Sequence, residues 1–186
     1  MQKMSFVKRI CIASICVALC YLLPVVLHPL GLGTLISPMH IPVLLCGLVC
    51  GGGLGLLCGI LGPVLSSVLS GMPPANMLMS MVPELAVYGL VAGLCMRFIR
   101  TKHLSADLYI ALSAAMVLGR VVGGIAKAFV YMGGGKAFTF ALWISSYFAG
   151  TLPGIITHLI LIPLLVVTLI KTKCIPARYP KEVSCE

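Results

Sequence analysis

The sequence predicts an all-α, polytopic integral membrane protein with six transmembrane helices and both termini in the cytoplasm. Three observations carry that prediction. Of the 186 residues, 60% are hydrophobic and only 9% are charged, whereas soluble domains are about 25% charged. With a mean hydropathy of +1.14, there is too little charge to cover a water-facing surface. Second, residues 10–83 and 137–170 contain no Lys, Arg, Asp or Glu. A spanning helix needs about 20 mostly apolar residues, so each run exceeds what one span requires. Third, ten of the thirteen Lys and Arg residues fall in three clusters. Lys3, Lys8 and Arg9 open the chain; Arg97, Arg100 and Lys102 form a middle cluster; Lys171, Lys173, Arg178 and Lys181 close it. Such clusters flank spans and mark the cytoplasmic side, which excludes nucleic acid as the partner of the basic charge. Alternating apolar and polar strands are absent, which excludes an outer-membrane barrel.

The elements follow from the breakers between them. The first span, 7–27, follows a basic start. No small-x-small cleavage site succeeds it, so it reads as a retained span rather than a signal peptide. "HPLGLGTLISP" (28–38) is a Pro- and Gly-rich loop. Segment 39–51 is short for a span and is expected to tilt or to begin within the bilayer. "GGG" (51–53) is a tight turn before segment 54–70. "GMPPAN" (71–76) leads to 77–97, the basic "RFIRTKH" (97–103) to 107–131, and "MGGGK" (132–136) to 139–170. That last segment is long and is expected to kink at Pro153, Gly154 or Pro163. Six crossings place both termini and the 97–103 connection on one side. Five or seven would put a basic cluster outside. Residues 1–186 thus read as a single membrane domain.

Small residues recur at helical spacing: Gly51, Gly55 and Gly59; Gly89 and Gly93; Ala111, Ala115, Gly119 and Gly123. In lipid such faces let helices approach closely, so compact bundle packing is expected of them. Nine cysteines occur with no C-x-x-C. Cys174 and Cys185 lie in the tail assigned to the reducing cytoplasm, so no disulfides are expected. Cys46 and Cys50, one turn apart, read as small hydrophobes rather than a metal pair. No metal or other cofactor is expected. The absence of G-x-x-x-x-G-K-[ST] means that energy from ATP has to come from a partner.

Function is sought among the ionisable residues inside spans, which are costly there and mark sites by default. Glu84 stands in the apolar run "MSMVPELAVYGLVAG" (79–93). Ser80, Glu84 and Tyr88 are spaced i, i+4, i+8 and share one face of the fourth helix. Arg120 and Lys127 share a face of the fifth. Measured from the outer ends of their spans, Glu84 lies roughly 10 Å deep, Lys127 roughly 6 Å and Arg120 roughly 16 Å, at about 1.5 Å per residue. Glu84 therefore falls between the two cations, in the outer half. Two readings follow. Glu84 pairs with Arg120 or Lys127 as a structural salt bridge. Alternatively, one cation neutralises it and the other favours a small monoanion in an outward-opening pocket. His40 and Asn76 stand at the outer mouth, each able to contact a ligand or to cap a helix. His158 is assigned to the cytoplasmic half as a packing residue. Trp143, Tyr147 and Phe148 read as interfacial belt residues.

"SPMHIPVLLCGLVCGGGLGLLCGILGPVLSSVLSGMPP", "PELAVYGLVAGL", "GRVVGG" and "LPGIITHLILIPLLV" resemble the substrate-specific (S) components of energy-coupling factor (ECF) transporters, over roughly residues 36–166. The resemblance implies a six-helix fold in a bacterial plasma membrane. It also implies capture from outside of a vitamin or related micronutrient. A net-positive pocket puts pantothenate first and nicotinate next, whereas a closed Glu84–Arg120 pair leaves a neutral pyridoxine-like or pyrimidine ligand open. The implied partners are a membrane coupling subunit and two cytoplasmic ATPase subunits. S components carry an Ala-xxx-Ala docking motif on the first helix. The nearest match here is Ser14-xxx-Ala18, and Ser is small enough for the same close approach. Two other classes were weighed. A stand-alone proton-coupled carrier or channel would use Glu84 as its proton site. An intramembrane enzyme would draw on His40, Glu84 and His158, but the depths assigned to them disagree, and H-E-x-x-H and G-x-S-x-G are both absent.

Overall fold

The structure, a computed structural model, describes residues 4–27, 29, 37–133 and 152–175. Among these residues the regular elements are six helices: α1 (Phe6–Leu27), α2 (His40–Cys50), α3 (Gly52–Ser70), α4 (Ala75–Phe98), α5 (Leu104–Gly133) and α6 (Leu152–Lys171). Five are long and apolar enough to cross a membrane; α2 is not.

The long helices expose apolar side chains in i, i+4 rows. Leu57, Leu61 and Leu65 line one side of α3, Val117, Val121 and Ile125 one side of α5, and Ile156, Ile160 and Leu164 one side of α6. A soluble bundle turns such rows inward. Turned outward on helix after helix, they are the surface that lipid tails cover.

The 11-residue α2 is short because it lies inside the bundle. At 1.5 Å per residue it spans about 16 Å, half of a bilayer core. Nine of its residues are buried, with α1, α3, α4, α5 and α6 packed around it. Gly51 alone makes the turn into α3, at φ 96°, where a side chain would be strained. It was expected to join Gly55 and Gly59 in a packing stripe, but it stands off the helix and a Cβ there would meet nothing. Gly55 and Gly59 do face a partner. Atoms built at either would run into the backbone of α4, at Gly89 and at Leu85 respectively. Gly93 answers from α4 against Gly51 and Gly52.

The connections are tied by side chains. Gly71 caps α3 in the left-handed conformation. Ser66 and Ser67 donate to the carbonyls of Met72 and Pro73 at 2.8 and 2.9 Å, holding the loop before α4. Between α4 and α5, the fully buried Asp107 accepts from the Thr101 N–H at 2.9 Å and from its hydroxyl at 2.7 Å. An acid in the first turn of α5 also suits the helix dipole. The kink expected within 139–170 falls partly outside the described residues. The described helix begins at Leu152, with Pro153 in its first turn and Pro163 inside, the former a position proline tolerates. Trp143, Tyr147 and Phe148 also lie outside the described residues.

Candidate polar site between α2, α4, α5 and α6

Glu84 sits just after Pro83, a proline inside α4. Proline donates no hydrogen bond, so the turn before Glu84 lacks one ladder bond. Its side chain is buried, as are Ser80 one turn before and Tyr88 one turn after. The Ser80 hydroxyl is spent on the Met77 carbonyl at 3.0 Å. The Tyr88 hydroxyl donates to Glu84 Oε1 at 2.9 Å. Two glycines of α5 make room for this pair. A Cβ on Gly119 would lie 2.5 Å from the Tyr88 ring, and one on Gly123 2.7 Å from Glu84 Oε2. Glu84 is thus level with Gly123, between Arg120 and Lys127 along α5. Arg120 is buried and follows directly on Gly119, which faces the Tyr88 ring.

From α2, His40 Nε2 approaches Glu84 Oε1 to 3.7 Å. The other imidazole nitrogen, Nδ1, lies 3.2 Å from the Ser37 carbonyl oxygen. A carbonyl can only accept, so Nδ1 carries a proton and Nε2 is the nitrogen facing the carboxylate. The His40 ring is tilted against Tyr88 at a centroid distance of 5.1 Å. It also stacks on His158 of α6, at 5.6 Å and 19° between planes.

His158 corrects the expectation that it lies far away in the cytoplasmic half. Depth was counted from a span beginning at 139, whereas the packing of α6 on α2 brings His158 level with His40. A usable signal was present in the sequence. His158 is the one polar residue in the row Gly154, His158, Ile162, Val166, Ile170, which is the buried face of α6. Glu84 contacts Tyr88 and His40, neither of which was among its expected ion-pair partners, Arg120 and Lys127. Lys127 is half-buried, one turn beyond Gly123. Asn76 does not join the cluster. It is exposed, and its Oδ1 accepts from the neighbouring Met77 N–H at 3.0 Å. Ser14 and Ala18 are both exposed on α1, away from the face that carries its buried residues.

The resulting arrangement is a contiguous polar chain, Tyr88–Glu84–His40–His158, with the buried Arg120 beside it on α5, drawn from four helices in an apolar interior. It offers a guanidinium, a carboxylate, a phenol and two imidazoles, enough to orient a small polar molecule. Among the described residues, no group of three or more His, Cys, Asp or Glu side chains is arranged to hold a metal ion.

No curated protein and no solved structure matches this chain. The sequence model of one family does, that of the substrate-specific component of ECF transporters, over residues 8–170. S components of this kind bind substrate and work with a membrane coupling subunit and ATPases. With multiple apolar helices, a buried polar cluster and a match along most of its length, this chain belongs to the family of ECF transporter substrate-specific components.

Proposed function

We infer that this S component captures a small vitamin-like monoanion, such as pantothenate, from outside a bacterial cell and holds it at the polar cluster. Uptake would then be driven by two cytoplasmic ATPases through a coupling subunit. In this reading the chain crosses the membrane six times with both termini inside. The short α2 is counted as a crossing because it sits in the bundle between α1 and α3, and the three basic clusters then share the cytoplasmic side. Ser14 and Ala18 form the small, outward patch of α1 on which the coupling subunit docks.

The observation that carries the substrate class is the buried Arg120 guanidinium at one end of the cluster. Glu84 offsets one positive charge, and Lys127 one turn further along α5 supplies a second. A ligand carboxylate would find a fixed cation and hydroxyl and imidazole donors in a low-dielectric setting, where such contacts are strong. Glu84 would then act by holding Tyr88 and His40 in place.

The test is mass spectrometry of small molecules released by denaturing the detergent-purified protein. A stoichiometric anionic micronutrient is the expected result. A blank that persists after incubation with a mixture of vitamins would overturn the reading. A stoichiometric cationic ligand would overturn the charge argument alone.

A further inference from the structure

Two hydrogen-bond acceptors face each other in the polar site unless a proton lies between them. His40 commits Nδ1–H to the Ser37 carbonyl oxygen at 3.2 Å, which leaves Nε2 toward Glu84 Oε1 at 3.7 Å. A neutral imidazole in that tautomer presents a lone pair at Nε2, and an ionised carboxylate offers lone pairs alone. Oε1 already accepts from the Tyr88 hydroxyl at 2.9 Å, so the phenol supplies no proton to the nitrogen. His40 is 9% exposed and Glu84 8%. In so dry a place a bare nitrogen against a carboxylate is repulsive, whereas a proton on Nε2 turns the same approach into an ion pair.

The surroundings place the proton on His40 and limit it to one. From α4, His40 meets Glu84 and Tyr88. From α5, Arg120 lies beside the cluster and the half-buried Lys127 one turn beyond Gly123. From α6, His158 stacks on the His40 ring at 5.6 Å. From α1, the Cys20 thiol lies 3.8 Å from the Met39 oxygen. The titratable side chain of α3 is that of Cys58. Among the described residues the other acid is Asp107, thirteen residues before Arg120, which is roughly 20 Å away along α5 at 1.5 Å per residue. It is engaged by Thr101. Two stacked imidazolium rings would repel each other, and of the two histidines His40 is the one with a carboxylate against its nitrogen.

We propose that the cluster holds one titratable proton on His40 Nε2, balanced by Glu84, and that this proton supplies the positive charge with which the cluster accepts an anion. The charges of Arg120 and Glu84 cancel. With the proton the buried cluster has one positive charge in surplus; without it the surplus is gone. Lys127 is less buried, so its charge is screened more strongly than one at His40. The ligand-bound cluster then binds the proton more tightly than the empty one, and affinity falls as pH rises. Each pH unit above the midpoint of the empty cluster weakens capture tenfold until the bound cluster also titrates. The coupling rests on anion capture at this site; the proton itself does not.

Nitrogen NMR reads the proton directly. The full chain, isotope-labelled at its histidine nitrogens and glutamate carboxyl carbons, is placed in lipid nanodiscs. Magic-angle-spinning spectra are followed from about pH 5 to about pH 9, a range that brackets ordinary histidine titration. The chain has four histidines, and dipolar coupling to the Glu84 carboxyl carbon picks out His40 Nε2. At neutral pH both nitrogens of His40 are expected to carry protons, with the bare-nitrogen signal appearing at higher pH. Glu84→Gln keeps the shape and removes the charge, so Nε2 should be bare at neutral pH in that variant. A bare Nε2 in the unmutated chain at neutral pH would overturn the proposal, as would a His40 that titrates identically in Glu84→Gln. The unmutated spectra decide even if the variant fails to fold. Calorimetry with pantothenate across the same range tests the coupling. Its Kd should rise tenfold per pH unit above the His40 midpoint, and a level Kd through that titration would overturn the coupling. No pantothenate binding at any pH, with His40 protonated, would count against pantothenate capture and leave the proton in place.

Discussion

The two sides of α4 use glycine in opposite ways. Toward α2 and α3, glycine meets backbone. Gly89 packs directly on Gly55 and Gly47, and Gly93 on Gly51 and Gly52. Toward α5, glycine meets side chains. Gly119 admits the ring of Tyr88, and Gly123 admits the carboxylate of Glu84. Both sides carry the same small-xxx-small signature. One side is a close-packed joint, and the other is a recess that the partner helix fills with functional groups. A small-residue row reports space on its own helix; the facing residues decide whether that space serves packing or chemistry.

The joint can be broken first, with the largest effect. Gly89→Val would force a branched side chain into the backbone of α3, where nothing nearby is flexible. Overpacking typically costs 1–3 kcal/mol and more where the backbone must shift, so a loss of about 3 kcal/mol or greater is expected. Size-exclusion chromatography in detergent should recover little or no monodisperse protein. Recovery at the unmutated level would mean that α3 and α4 are not locked at this point.

The recess should fail differently. Arg120→Ala removes the buried cation without touching the joint. Capture of an anionic ligand is expected to weaken by about 100-fold, the worth of one buried charge-assisted contact. The yield of folded protein should stay close to normal. Calorimetry with the ligand recovered from the purified protein would measure this, and unchanged affinity would remove the anion argument. Gly123→Ala is the graded version. The added Cβ would sit 2.7 Å from Glu84 Oε2 and 2.9 Å from its Cβ and Cδ. The carboxylate must move by a fraction of an ångström. A loss in affinity of about tenfold and in stability of about 1–3 kcal/mol is expected, since Glu84 Cβ is fixed to the α4 backbone and the two helices must part slightly as well.

Much of this contrast was legible in the sequence, but not all of it. The i, i+4, i+8 spacing put Ser80, Glu84 and Tyr88 on one face, and they are buried together. Spacing on α5 put Arg120 and Gly123 on the face that meets them. Spacing within one helix is a local property, so sequence carries it. Register between helices is not local. His158 was misplaced because its depth was read from its place in the 139–170 segment, and the contact with His40 depends on how α6 leans on α2. The hydrogen bond from Tyr88 to Glu84 likewise depends on side-chain rotamers, which spacing does not carry. Asn76, read as either a ligand contact or a helix cap, lies outside the cluster, and its Oδ1 accepts from the neighbouring Met77 N–H.

The smallest effect sharpens the comparison by supplying its baseline. Gly53 begins α3 beside Gly52 and Gly55, within the same Gly-rich run as the joint. A Cβ there would meet nothing within 4 Å, and the position is exposed. If small residues in this run mattered for smallness alone, Gly53→Ala would resemble Gly55→Ala. If the facing residue decides, the two should part. At Gly53 alanine only reduces the freedom of the unfolded chain and favours the helix, a gain of about half a kcal/mol. That corresponds to a rise in melting temperature of about 1–2 °C for a chain of this size. At Gly55 the same methyl meets the Gly89 carbonyl and should lower it by several degrees. Thermal unfolding of the two variants side by side, followed by tryptophan fluorescence, therefore tests whether glycine in this protein is chosen by its helix or by its neighbour.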